Sequence, residues 1–401
     1  MAEIVDIEMA LGQHEGETLA GATMLEQIRH LEGSAPNLGR FILREGFGTV
    51  GANLTTGYRD WALLTIAILA AIGDAGDQLG VYTDAALLNG ATDDEITDVL
   101  NLACLYAGAP RAVNAARVLA ERLGKLRAER LPHTVERIVG LGDHDTTVWD
   151  SGGEGVPMLL IHALSMDLRF WRKVYPILAK SGRVIAYDIR GHGRARGAPP
   201  TQSLDHVAGD ALALLDILGI DQVDVYGASY GGAIAQHIIL NAPTRVRSLA
   251  LLATGSKAPF DMLSERATHA EAAGMEAQVA ESIIRWFLPA TIAVDAWEIR
   301  YARNCVRRAR VEDWAASWRA MARLDVLERV ADLDQPVLSL SGKQDLSAHP
   351  EDMQRTAEAY RNGEFRSVDP GTHMMPMEQP EPVARELAAF RARVEARTDR
   401  R

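Results

Sequence analysis

The stretch Val223-Asp224-Val225-Tyr226-Gly227-Ala228-Ser229-Tyr230-Gly231-Gly232 constrains the fold more than any other in the 401-residue chain. A buried-type apolar run breaks into a tight turn, and Ala233-Ile234-Ala235-Gln236-His237-Ile238-Ile239-Leu240 follows at once as a helical segment. A strand, then Gly-x-Ser-x-Gly, then a helix is the context that makes this five-residue pattern a nucleophile elbow rather than an ordinary turn. The turn presses positions 227 and 231 against neighbouring backbone, where a side chain would collide, and Ser229 has to hold a strained conformation at the tip.

Around the elbow the chain alternates between strand and helix. Thr134–Val139 and Thr146–Trp149 read as a short antiparallel edge, and Val156–His162 as a continuous apolar strand of the kind a sheet covered on both faces needs. Arg183–Asp188 is a strand, Leu204–Leu218 a helix, and Val246–Leu252, Val337–Leu340 and Glu364–Val368 are later strands. This β-α-β alternation predicts a mostly parallel sheet with helices on both faces. Between Gly255 and Leu333 the strand pattern stops and a helical, charge-studded segment intervenes. It is too long for a bare loop, so an inserted helical cap over residues 255–333 is expected.

Two further residues complete a chemistry. Asp345, in Ser341-Gly342-Lys343-Gln344-Asp345, follows one strand, and His373, in Asp369-Pro370-Gly371-Thr372-His373, follows the last. The order Ser229, Asp345, His373 and these post-strand positions resemble the α/β-hydrolase fold over residues 133–397. The resemblance implies a serine nucleophile, a histidine base and an orienting aspartate. The oxyanion donors would be the backbone N–H groups of Tyr230 and of Leu164, in the loop His162-Ala163-Leu164-Ser165-Met166-Asp167. His349 is a rival base, four residues after Asp345; His162, His192 and His237 are expected to be structural, and Asp188 to shape its turn. This chemistry calls for no metal and no cofactor.

The cap segments Arg266–Met275 and Ile284-Arg285-Trp286-Phe287-Leu288-Pro289-Ala290 are similar to those of 3-oxoadipate enol-lactonases. The stretches His162–Trp171 and His373-Met374-Met375-Pro376-Met377-Glu378-Gln379-Pro380 share that similarity. It implies a small carboxylate-bearing enol-lactone or ester as substrate, with Arg285 as a candidate for its carboxylate and Trp286 as a pocket wall. Two other readings stay open: a bifunctional 4-carboxymuconolactone decarboxylase and enol-lactonase, and a hydrolase that cleaves a carbon–carbon bond of a diketone.

The first 125 residues carry no competing strand pattern. Trp61–Ile72 is apolar on every face and has to be surrounded, by its own domain or by other subunits. A second helix is predicted over Asp77–Leu88. A third starts at the capping box Thr92-Asp93-Asp94-Glu95, and a fourth is expected over Ala112–Leu123. Three segments, Arg59–Ala67, Ala86–Ile96 and Tyr106–Ala116, resemble the carboxymuconolactone decarboxylase family. The resemblance covers roughly residues 35–125 and implies an all-helical domain that forms homo-oligomers. Tyr82 stands where decarboxylating members carry a histidine, and Trp61 where they carry an arginine. Losing both cationic groups predicts an altered site serving assembly, because decarboxylation needs a cation or proton donor near the departing carboxylate.

Residues 126–132, charged and closing on Pro132, are the expected linker between the helical domain and the hydrolase domain. The net charge of −12 argues against nucleic-acid or anionic-membrane partners. Cys104 and Cys305 share no pairing motif, the acidic opening lacks a signal-peptide pattern, and no apolar run is long enough to span a bilayer. A cytoplasmic location is the expectation.

Overall fold

The computed structural model describes residues 7–130 and 134–398. The chain divides into two compact units, Met1–Ala128 and Glu129–Arg401.

The first unit is all-helical in its described part. It comprises α1 (Ile7–Ser34), α2 (Pro36–Phe41), a π-helical stretch Ile42–Val50, α3 (Tyr58–Ile72), α4 (Gly76–Leu88), α5 (Asp93–Ala107) and α6 (Ala109–Arg130). The capping box at α5 forms as read: Thr92 Oγ1 accepts from the Glu95 N–H at 3.1 Å, and Glu95 Oε2 accepts from the Thr92 N–H at 2.9 Å. α6 begins three residues earlier than expected. Pro110 falls in its first turn, where no intrahelical N–H is required, so it starts the helix instead of interrupting it. The same helix runs on to Arg130, so the first part of the expected linker is helical; residues 131 and 132 lie outside the described residues.

α3 shows how its all-round hydrophobicity is used. Ala62, Ile66 and Ala70 are buried in the core of the unit, whereas Leu64, Ile68 and Ile72, spaced by four, form an exposed stripe. Leu102, Leu105 and Tyr106 on α5 are likewise exposed, Leu105 at 73% and Tyr106 at 84%.

The second unit is built on one eight-stranded sheet of order β1-β2-β4-β3-β5-β6-β7-β8. The strands are β1 (Val135–Gly140), β2 (Asp145–Asp150), β3 (Met158–Ile161), β4 (Val184–Tyr187), β5 (Val223–Ala228), β6 (Val246–Leu252), β7 (Val337–Gly342) and β8 (Gly363–Val368). β2 is antiparallel to both β1 and β4, and every other pairing is parallel. β3, β4, β5 and β7 are buried along their whole length; β3 and β4 read as unbroken apolar runs, while β5 and β7 also bury Asp224, Ser339 and Ser341.

A short α7 (Tyr175–Leu178) precedes β4, α8 (Leu204–Ile217) follows it, and α9 (Tyr230–Asn241) follows β5. The cap is five helices inserted between β6 and β7: α10 (Phe260–Ala273), α11 (Glu276–Trp286), α12 (Pro289–Ala293), α13 (Trp297–Arg308) and α14 (Val311–Ala322). α15 (Pro350–Ala359), α16 (Met375–Glu378) and α17 (Pro380–Thr398) complete the unit.

This topology positions the site. From β3 the chain steps outward to β4 and then returns to place β5 on the other side of β3. Their carboxyl ends therefore diverge into a crevice, the usual place for a ligand in an open α/β sheet.

Candidate active site

Ser229 sits between β5 and α9 with φ 51° and ψ −115°, a left-handed conformation that costs a non-glycine residue of order 1–3 kcal/mol. Backbone packing holds it there. A Cβ on Gly227 would lie 2.2 Å from the Gly231 carbonyl oxygen, and one on Gly231 would lie 2.2 Å from the Ile161 carbonyl oxygen on β3. Any side chain at either position would force the turn apart and move the serine.

His373 Nε2 lies 2.9 Å from Ser229 Oγ, and His373 Nδ1 lies 2.9 Å from Asp345 Oδ2 and 3.2 Å from Oδ1. All three are buried, with 8%, 6% and 2% exposure for Ser229, His373 and Asp345. The loops that carry the acid and the base are joined to each other, since the Gln344 N–H donates to Gly371 O at 2.7 Å and the Lys343 N–H to Val368 O at 3.0 Å. Asp345 is aimed by its own turn: Oδ1 accepts from the N–H groups of Ser347 (2.7 Å) and Ala348 (3.0 Å). Motif order alone does not reveal these two donors. A local signal for them exists, because an aspartate side chain in a turn commonly accepts from the backbone N–H two residues on.

Among the described residues the N–H groups of Leu164 and Tyr230 donate to no backbone or side-chain acceptor. Leu164 lies in a loop secured from behind by His162, whose Nδ1 is 2.8 Å from Ala163 O and whose Nε2 accepts from the Ile189 N–H at 3.0 Å. Asp188 Oδ1 accepts from the Leu168 N–H at 2.9 Å and Oδ2 from the Arg194 N–H at 2.8 Å, so it ties the same loop to the turn after β4. His192 stacks on Tyr230 at 5.9 Å and donates toward Arg190 O. His237 pairs with Asp205 at 2.7 Å, and His349 stands at the N-cap position of α15 with no capping hydrogen bond from its side chain.

The cap brings Arg285 and Trp286 to the end of α11, where the Trp286 carbonyl accepts from the N–H of Met374, the residue after His373, at 3.3 Å. Arg285 pairs with Glu281 at 2.6 Å, and its Nε is buried without a partner. Arg266, to which the sequence patterns assign no role, lies over the Trp318 ring at 4.8 Å. Burial first, and then the charge of Arg285, push its guanidinium down to about 10. Among the described residues no group of three or more His, Cys, Asp or Glu is placed to hold a metal ion. No helix among them is long and apolar enough to cross a membrane.

In the helical unit, Trp61 packs against Phe47 (5.6 Å) and Tyr58 (6.5 Å), with its ring edge over Gly51. Tyr82 packs against the same core, and burial raises its phenol above the ordinary range. Arg59, the charged group next to Asp60 and Trp61 in sequence, is paired with Glu95 at 2.7 Å.

The comparisons with known proteins place the chain among the hydrolases. Residues 156–380, more than half of the chain, match the family model of the alpha/beta hydrolase fold, and the chain belongs to that family. Residues 36–121 match the carboxymuconolactone decarboxylase family, so the protein joins the two. The chain is 26% identical over 245 residues to 3-oxoadipate enol-lactonase 1 of Acinetobacter baylyi, spanning 60% of this chain and 90% of that protein. It is 41% identical over 107 residues to the dihydrolipoyllysine-residue acetyltransferase component of the acetoin cleaving system of Pseudomonas putida. That match covers 26% of this chain and only 29% of the relative. Among solved structures, a thermophilic esterase from Thermogutta terrifontis (malate bound) superposes with a TM-score of 0.59 at 26% identity, covering 65% of this chain and 98% of that one.

The histidine behind the loop makes a pH prediction. Burial, and next the charge of neighbouring His192, push His162 down to about 3. In its neutral form both ring nitrogens are satisfied, and a second proton would face the Ile189 N–H. The unfolded chain takes up this proton near 6.5 and the native state only near 3. The stabilisation is therefore complete above pH 6.5 and is lost as pH falls from there toward 3. Asp188 moves the opposite way, pushed up to about 7 by burial and the Asp167 charge, so the measurement is a difference. The loss of unfolding free energy between pH 7 and pH 5, from urea titrations, should be smaller in His162→Gln than in the wild type by about 2 kcal/mol.

Proposed function

We propose that the protein is a serine hydrolase that opens a small carboxylate-bearing enol-lactone, or cleaves a related ester, through an acyl-enzyme on Ser229. The observation that carries this reading is the continuous hydrogen-bonded chain Asp345–His373–Ser229 beside two unengaged N–H groups. His373 takes the Ser229 proton as Oγ attacks the carbonyl carbon, and Asp345 holds the imidazole tautomer and stabilises the imidazolium. The oxyanion that forms is met by the N–H groups of Leu164 and Tyr230. Collapse breaks the ring C–O bond, and the leaving enolate takes the proton from His373 and tautomerises to the ketone. Water, activated by the same histidine, then releases the oxo-acid.

The likeness to an enol-lactonase supports the lactone. Arg266 and Arg285 support the carboxylate, since both guanidinium groups are largely buried and only Arg285 bonds to Glu281, with the Asp345 charge acting on it as well; Trp286 would wall the pocket. The whole-protein role of the acetyltransferase relative carries nothing here, because less than a third of its length is matched.

The helical domain, in this reading, assembles the enzyme with further copies of itself. Its exposed stripes on α3 and α5 are apolar surface of the kind that another subunit covers. The positions of Trp61 and Tyr82 hold packed aromatic rings where decarboxylation needs a cation.

A fluorophosphonate probe should label Ser229 alone, and Ser229→Ala should lower kcat on 3-oxoadipate enol-lactone by at least about 10⁴-fold. Labelling at another residue, or activity retained by the variant, overturns the assignment. Ser229→Ala protein given carboxymuconolactone should release no CO₂, whereas release at an enzymatic rate would restore a decarboxylase role. Analytical ultracentrifugation should find an oligomer for the wild type and a smaller species for the double variant Ile68→Glu, Leu105→Glu; a monomeric wild type refutes the assembly role.

A further inference from the structure

The loop that carries Leu164 has two fixed ends. At its start, His162 is held by the Ile189 N–H on the sheet side. At its other end, the Asp167 N–H donates at 3.0 Å to the hydroxyl oxygen of Tyr301, which belongs to α13 of the cap and lies 134 residues away in sequence. The same hydroxyl donates to Asp167 Oδ1 at 2.9 Å. A single phenol therefore closes both the backbone and the side chain of Asp167.

Tyr301 is itself rigidly seated. It is 5% exposed and stacks on Trp297 with ring centroids 4.8 Å apart and planes 9° from parallel. The Arg169 guanidinium lies 5.3 Å from the Tyr301 ring centroid, and Arg172 lies 4.8 Å from that of Trp297. Two cations from the segment just after the loop thus grip two adjacent aromatic rings of one cap helix. Asp167 completes the lock with a bidentate pair to Arg169, at 3.0 and 2.8 Å.

The charge state suits the bond. Burial alone would raise Asp167, but the Arg169 charge and hydrogen bonds hold it at about 2, so it accepts as a carboxylate. Burial, followed by the Asp167 charge, keeps the Tyr301 phenol well above its ordinary range, so it remains a donor.

We infer that Tyr301 is a positioning residue through which the docked cap sets the oxyanion hole, holding the far end of the loop so that the Leu164 N–H stays aimed at the developing oxyanion. This rests on the hydrolase reading above. The Asp167 N–H makes no other hydrogen bond among the described residues, so losing the hydroxyl leaves a buried N–H unpaired and the loop end held only from the sheet side, through Asp188 and the Leu168 N–H, and by the Asp167–Arg169 pair. An oxyanion donor acts mainly in the transition state, and removing one outright costs about 10²–10³ in kcat. A donor displaced by a slackened loop costs less, about tenfold.

The test is Tyr301→Phe in the full-length protein, assayed on a p-nitrophenyl ester and on the enol-lactone, with rates normalised to sites titrated by a fluorophosphonate. The expected result is a fall in kcat of about tenfold with KM within about twofold. The affinity for a trifluoromethyl ketone, which forms a tetrahedral adduct on the serine, should fall by the same factor as kcat/KM. A purely structural role would lower the fraction of titratable sites and leave kcat per site unchanged, and that outcome overturns the inference. So does a rise in KM at constant kcat, which would mean that Tyr301 acts on substrate binding. If Tyr301→Phe does not accumulate in folded form, Trp297→Leu removes the stacked ring and keeps the hydroxyl. It should lower kcat per site by about threefold at constant KM, and no change overturns the proposal. A wild-type protein that is neither labelled nor active on either substrate refutes the hydrolase reading itself, a result distinct from an active wild type with an unaffected variant.

Discussion

Everything at the site depends on the contact of backbone with backbone at the elbow. Gly231 lies against the last carbonyl of β3, and Gly227 lies against Gly231. No side chain fits in either gap, so the first turn of α9 is held against the sheet and Ser229 is left in a left-handed conformation between them. Strain of this kind persists only where the surroundings over-determine it. Here they do so through a fully buried strand on one side and an almost wholly buried helix on the other.

The other functional groups come to that point on loops, and each loop is fixed by a different means. Asp345 and His373 share two backbone bonds between their loops, together with an Asx-type turn that aims the carboxylate. The loop that carries Leu164 is tied to the core by His162 and Asp188 and to the cap by Tyr301. The consequence is a buried polar network behind the reacting atoms in which almost every member is satisfied, as low-dielectric surroundings require. His162 and His192 stay neutral and Asp167 stays ionised near neutral pH, whereas Asp188, pushed up to about 7 by burial and the Asp167 charge, is the member that changes protonation there.

The helical unit follows another logic. Its helices α3 and α5 bury one face and leave apolar side chains exposed on another. Trp61 and Tyr82 pack an indole and a phenol against its core.

Much of this is legible in the order and spacing of the residues. The elbow, the strand and helix alternation, the helical insertion and the chain order of serine, aspartate and histidine are local or sequential features, set by periodicity, glycine placement and spacing. So is the capping box at Thr92, because its partners are three residues apart. What the sequence could not contain is the meeting of distant residues. Which face of α3 is bare follows from what packs against it, because both faces are apolar in composition. The bond from Asp167 to Tyr301 spans 134 residues and has no motif, since a phenol on an amphipathic helix reads as ordinary core. The sequence by itself determined the residue types and the chain order of Ser229, Asp345 and His373, the groups on which the proposed chemistry rests. Only the tertiary structure decided how that chemistry is aimed, because aim is set by hydrogen bonds between elements that folding alone brings together.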